Sequence, residues 1–213
     1  MIFGTRYGEG GVSEMNEQGK WVYIVVSNTG TLLSRVIGFI SKAEYNHASL
    51  SLDPCMCEMY SFGRLNPYNP IIGGFVMESP FFGTFKRFRN TSAVILRIPV
   101  TERQYALLKR HIRKMYAHKK RYFYNFVGLV FAAFGICWTH RDWYYCSEFV
   151  RDTLDLFQIL DKRDYDGIVK PEDFFRIPGK EIVYVGNLLA YAECQNHKQE
   201  EQLVRRNLLE WND

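Results

Sequence analysis

Cys146 is the side chain in this sequence best placed to do chemistry. It closes the aromatic run Trp143-Tyr144-Tyr145 and opens an amphipathic pattern. Phe149, Val150, Thr153, Leu154 and Phe157 recur at helical spacing, with Glu148, Arg151, Asp152 and Asp155 on the other side. The spacing puts the thiol at a helix N-terminus, where unpaired backbone N–H groups and the positive end of the helix dipole favour a thiolate. The same N–H groups can hold an oxyanion. A lone cysteine at a helix start is more often a buried structural thiol. To act as a nucleophile it needs a base, and a third group to orient that base.

The base has to come from another element. Of the five histidines, His111 and His118 lie on a basic helical face, His140 in a loop and His197 in a charged tail. Only His47 opens an apolar-alternating strand, where an imidazole is out of place unless it is paired. A satisfied core histidine is the plainer reading of that position. The hairpin that follows bears on the choice. With a two-residue turn at Asp53-Pro54, a strand His47 to Leu52 pairs with a returning strand, roughly Cys57 to Phe62. Ser51 then lies opposite Glu58, which puts Glu58 on the face that carries His47, Ser49 and Ser51.

The other elements frame these two. Residues 1–20 are Gly- and Glu-rich without periodicity, an arm held loosely if at all. Trp21 to Ser27 reads as a buried strand, and Thr31 as the cap of a short helix, Leu32 to Lys42. Residues 63–92, rich in Gly, Pro and aromatics, read as an irregular excursion with one short strand, bordering a cleft. Ser92 to Ile98 is a strand ended by Pro99, and Thr101 caps a helix running to about Lys119. Tyr122 to Trp138 is an uncharged apolar segment, shorter than the roughly twenty residues of a membrane-spanning helix. It reads as a buried helix, with a lipid-facing element as the alternative. The helix of Cys146 should end near Leu160, Glu181 to Val185 forms a closing strand, and His197 to Trp211 a charged amphipathic helix.

Bulk properties narrow the function. The 213 residues suit one substantial domain, at 47% hydrophobic, 23% charged and 16% aromatic. A net charge of +4, without a recognition-helix, zinc-finger or ribonucleoprotein signature, argues against a nucleic-acid partner. Five cysteines, an odd number, and an N-terminus without a basic region and apolar core point to free thiols in the cytoplasm. Cys55 and Cys57, two thiols in one turn, make a poor zinc site. Asp161 to Gly167 is not a calcium loop, because Lys162 stands where the first carboxylate ligand belongs. Neither a metal nor a cofactor is expected.

Two motifs, in this order, carry a family resemblance. Leu33-Ser34-Arg35-Val36-Ile37 followed by Glu44-Tyr45-Asn46-His47-Ala48-Ser49-Leu50 resembles the leader helix and His-bearing strand of the circularly permuted NlpC/p60-like cysteine hydrolases. That papain-like group includes the YiiX/YebB-like hydrolases and the lecithin:retinol acyltransferase relatives. Tyr145-Cys146-Ser147-Glu148-Phe149-Val150 is similar to their nucleophile motif, and Lys170-Pro171-Glu172-Asp173-Phe174 to the P-x-D-hydrophobic segment after it. The resemblance covers roughly residues 20–186. It implies an α+β, papain-like fold, an antiparallel sheet packed against helices with the nucleophile at a helix N-terminus. Residues 21–190 would form that domain and 191–213 a helical tail.

It further implies Cys146 as nucleophile, His47 as base, and a third polar residue on the strand after the histidine. Glu58 matches that third place best by order and face, with Ser61 and Tyr60 as fallbacks. The expected activity is cleavage of an amide bond in a peptide or other small acyl substrate. A second expectation is a lipid-directed acyltransferase or thiol esterase in peripheral contact with an anionic membrane. Its motive is segment 122–138 beside the basic residues Arg110, Arg113, Lys114, Lys119, Lys120, Arg121 and Lys86-Arg87-Arg89. A third is a catalytically idle papain-like module that binds a partner.

Overall fold

Six consecutive buried residues, Val22 to Ser27, make the first strand an interior strand of the sheet. A run this apolar forms a strand covered on both faces. Val22, Ile24 and Val26 enter one core cluster, and Tyr23 and Val25 another on the opposite side. The computed structural model describes residues 19–29, 44–66, 68–125, 128, 142–165 and 167–210.

The strands are β1 (Lys20–Asn28), β2 (His47–Ser51), β3 (Met59–Asn66), β4 (Asn69–Glu78), β5 (Ser92–Val100), β6 (Phe123–Tyr124), β7 (Trp143–Tyr144) and β8 (Glu181–Asn187). They form one sheet in the order β7-β6-β4-β3-β2-β1-β5-β8, antiparallel except for the parallel β6–β7 pair. The helices are α1 (Gly83–Arg87), α2 (Glu102–Ala117), α3 (Cys146–Leu156) and α4 (Leu188–Glu210), with 3-10 turns at Lys119–Arg121, Lys162–Tyr165 and Pro171–Arg176. The fold class is α+β.

Two helices cover the first face. α2 contributes Leu108, Ile112 and Met115, and α3 contributes Phe149, Val150 and Leu154. Phe149 packs its ring against Phe62 and Phe75, at centroid separations of 5.6 and 5.2 Å. On the other face Phe85 of α1 and Leu188 and Tyr191 of α4 cover Tyr23, Val25, Met59 and Ile95.

Several expectations need correction. The turn after β2 is longer than two residues, so Ser51 pairs with Met59 and Glu58 stays in the loop. Residues 63–92 are largely regular. β3 runs on to Asn66, and β4 returns along it for ten residues before α1. β5 passes through Pro99, which lies opposite Trp21. α3 stops at Leu156, and α4 begins at Leu188 and runs without a break across residue 191, with Tyr191 and Ala192 buried. The arm before Gly19 and the expected helix Leu32 to Lys42 lie outside the described residues, as does most of segment 122–138. Among the described residues no helix is long and apolar enough to cross a membrane.

Candidate active site

β2 and α3 are brought together by a short segment between them and β8. Val169 accepts a hydrogen bond from the Ser147 hydroxyl at 2.7 Å, and its own N–H donates to the Tyr145 hydroxyl at 3.3 Å. Three residues on, Glu172 accepts from the Tyr45 N–H at 2.8 Å, and Phe175 meets the Tyr45 ring edge-on at 5.8 Å. One segment thus holds both the start of the Cys146 helix and the residues leading into His47. Pro171 and Phe174 anchor it in the core.

His47, the first residue of β2, and Cys146, the first of α3, form a hydrogen-bonded pair. The other partner of the imidazole is Glu78, the last residue of β4, whose two carboxylate oxygens lie 3.1 and 3.0 Å from His47 Nε2. Ser49 and Ser61 donate to Glu78 Oε2 at 2.7 and 2.8 Å, and the Ser61 hydroxyl is also 3.2 Å from His47 Nε2. Strand alternation explains the cluster: His47, Ser49, Ser61 and Glu78 share the face of β2, β3 and β4 on which Met59 lies. Phe85 closes it from above, 6.1 Å from the imidazole.

The electrostatics follow from these contacts. Burial alone would raise the Glu78 carboxyl, but the imidazolium and the two hydroxyls outweigh it and hold the group below its usual range. Burial would likewise lower His47, yet Glu78 and the Cys146 sulfur hold it well above 6.5. Burial would raise Cys146; His47 and backbone hydrogen bonds from Ala48 and Ser147 bring it below an ordinary thiol. Both shifts run toward a thiolate–imidazolium pair backed by a carboxylate. By contrast, burial and Asp53 push the Cys55 thiol up to about 11.

Glu58 is not part of this cluster. Its carbonyl accepts from the Ser51 hydroxyl at 2.7 Å and its carboxylate from the Tyr60 hydroxyl, beside a cavity of about 140 Å³ lined by Tyr105, Lys109 and Arg113. Tyr60 points into the core on the opposite face. Of the two fallbacks only Ser61 reaches the imidazole, and it does so as a partner of Glu78. A signal for Glu78 was present, since it is the only acidic residue between Glu58 and Glu102 and ends the apolar stretch Phe75-Val76-Met77.

Two glycines make room around it. A Cβ at position 63 would press to 3.1 Å from Glu78 Oε1, and one at position 73 to 2.8 Å from the Tyr124 Cβ. Tyr124 is a further residue not singled out from the sequence. Burial and the negative charge of Cys146 raise its pKa, so its hydroxyl remains a proton donor in the field of the thiolate. Among the described residues no group of three or more His, Cys, Asp or Glu is placed to hold a metal ion. Comparison with family models, with curated proteins and with solved structures finds no match to this chain.

Proposed function

We propose that this chain is a thiol-dependent hydrolase that cleaves an amide bond through an acyl-enzyme, on a papain-like fold of the permuted NlpC/p60 kind. The observation that carries the proposal is the Cys146–His47–Glu78 relay, with its lowered thiol and raised imidazole. The order of the chain, His strand before Cys helix, and the mostly antiparallel sheet packed on that helix support the fold reading.

In the proposed reaction the Cys146 thiolate attacks the amide carbonyl and a C–S bond forms. The Cys146 backbone N–H and the Tyr124 hydroxyl are the candidate donors to the oxyanion. His47 passes its proton to the amide nitrogen, the C–N bond breaks and the amine leaves. The neutral imidazole then takes a proton from water as its oxygen attacks the thioester. The C–S bond breaks, releasing the carboxylic acid and restoring the ion pair. Glu78 orients the ring throughout and stabilises its charged form. An acceptor other than water would turn the same acyl-enzyme toward transfer. The exposed apolar surface next to Glu78, around Leu65 and Phe82, favours a lipid-facing version of that second reading.

The test is the pH dependence of iodoacetamide labelling, with the modified cysteine located by mass spectrometry, in the wild type, His47→Ala and Glu78→Gln. Cys146 should label far faster than the other four cysteines below pH 7 and lose that advantage without His47. An ordinary or inert Cys146 would reject catalysis and leave a binding module. Turnover of an amide substrate should follow a bell in pH. The acid limb reports Cys146 below the ordinary thiol range, and the alkaline limb reports His47 well above 6.5.

A further inference from the structure

The outer face of the β3–β4 hairpin is apolar where it meets solvent. Leu65 and Ile72 are 55% and 56% exposed, Tyr68 at the hairpin tip 79%, Phe82 43% and Phe123 49%. These residues form one strip. Leu65 and Phe82 line the same cleft, about 190 Å³, that Glu78 borders. Gly74 lies opposite Phe123, and a Cβ on it would be 3.6 Å from the Leu65 side chain. The Arg87 guanidinium stacks on the Tyr68 ring at 4.2 Å and ties the hairpin tip to α1. Alternation puts Ile72 on the face that carries Glu78, and the Gly74 contact puts Leu65 beside it.

Basic side chains flank this strip, and the acid that borders its cleft, Glu78, is buried against His47. Lys86, Arg87 and Arg89 are exposed in and after α1, as are Lys119 and Lys120 in the 3-10 turn that touches β4.

From this we infer that the hairpin face docks on the surface of an anionic lipid bilayer. Leu65, Ile72, Phe82 and Phe123 enter the headgroup–acyl boundary, and the flanking Lys and Arg meet the anionic headgroups. The two aliphatic residues favour a bilayer over a nucleic acid, since aliphatic side chains find no counterpart in a phosphate backbone. Docking in this orientation turns the cleft beside Glu78 toward the membrane. The inference does not depend on catalysis, because the surface is unchanged when the thiol is removed.

The experiment is flotation of the full-length Cys146→Ala chain with vesicles of phosphatidylcholine alone or with 30% phosphatidylserine. Recovery with the anionic vesicles should be at least tenfold higher. It should fall about tenfold in Leu65→Ser/Ile72→Ser and again in Lys86→Glu/Arg89→Glu, each checked for an unchanged circular dichroism spectrum. Three outcomes would overturn the inference: no flotation at physiological salt, flotation indifferent to Leu65 and Ile72, or displacement from vesicles by a stoichiometric single-stranded oligonucleotide. Loss of thiol reactivity with flotation retained would remove the hydrolase reading and leave the docking face standing.

Discussion

α2 and α3 start in different ways, and the difference lies in what the amides of the first turn are used for. At α2 the Thr101 hydroxyl accepts from the Gln104 N–H at 3.2 Å, and the Gln104 side chain accepts from the Thr101 N–H at 3.0 Å. The orphan amides are satisfied by the helix's own residues. Gln104 also donates to the carbonyls of Phe157 and Gln158, so this cap fastens the far end of α3. At α3 the N-cap is Tyr145, which has no small polar side chain to fold back, and its phenol is occupied by Val169. Glu148 reaches the Tyr145 N–H only at 3.5 Å. The Ser147 amide is turned to the Cys146 sulfur instead. The amide that follows the thiol thus serves the Cys146 sulfur and, in the proposed reaction, amides at this helix start serve an oxyanion.

The contrast can be broken by substitution, beginning with the largest effect. Cys146→Ser should abolish amide turnover, by on the order of 10⁴-fold or more, while the melting temperature changes little; a variant that kept turnover would end the nucleophile assignment. Next come the two carboxylates on either side of the sheet. Glu78→Gln should lower kcat by roughly 10²–10⁴-fold, as expected for the group that orients a catalytic imidazole. Glu58→Gln should leave kcat within about twofold, since its partner is Tyr60. Equal losses in the two variants would mean that Glu78 is not special to the site.

Stability effects are smaller. The Glu148 carboxyl, buried in the first turn of α3, is raised to about 7 by burial and by Asp152. A carboxyl raised in the folded state binds its proton more tightly there than in the unfolded chain. The stability this confers is complete below pH 4.5 and is lost as pH rises toward 7. Glu148→Gln should therefore match the wild type at pH 4 and be more stable at pH 8, by about 1–3 kcal/mol in denaturant unfolding. A gap that does not change with pH would refute it. Thr101→Ala should cost about 1 kcal/mol and leave iodoacetamide labelling of Cys146 unaltered. A drop in thiol reactivity there would show that the two helix starts are coupled through Gln104.

Much of this arrangement is legible in the sequence. The 3.6-residue recurrence of Phe149, Val150, Thr153 and Leu154 places Cys146 at a helix start, and those residues are buried as the period requires. The run Trp21 to Ser27, the cap at Thr101 and the strand from Ser92 are likewise local signals that tertiary packing leaves alone. Glu148 is the exception on α3. Period alone puts it on the solvated side, yet the turn after the N-cap is buried and takes Glu148 with it.

The third member of the relay is where local reading ends. Which acid faces His47 depends on strand register, and one residue of slip exchanges the faces of a strand. The loop after β2 holds enough residues to keep Glu58 out of β3, and Ser51 fixes it there through its carbonyl. Nothing near His47 in the chain announces that the next strand but one will end on an acid beside it. Gly73, Gly74 and the flanking prolines also hide β4, because glycine and proline weaken strand patterns. Here glycine serves close approach instead: position 73 lies under Tyr124, and position 74 pairs with β6. The sequence by itself determined that Cys146 opens a helix, that His47 opens a strand, and the order in which they come. Only the tertiary structure decided the carboxylate, because it is chosen by the pairing of β3 with β4, thirty-one residues along the chain from His47.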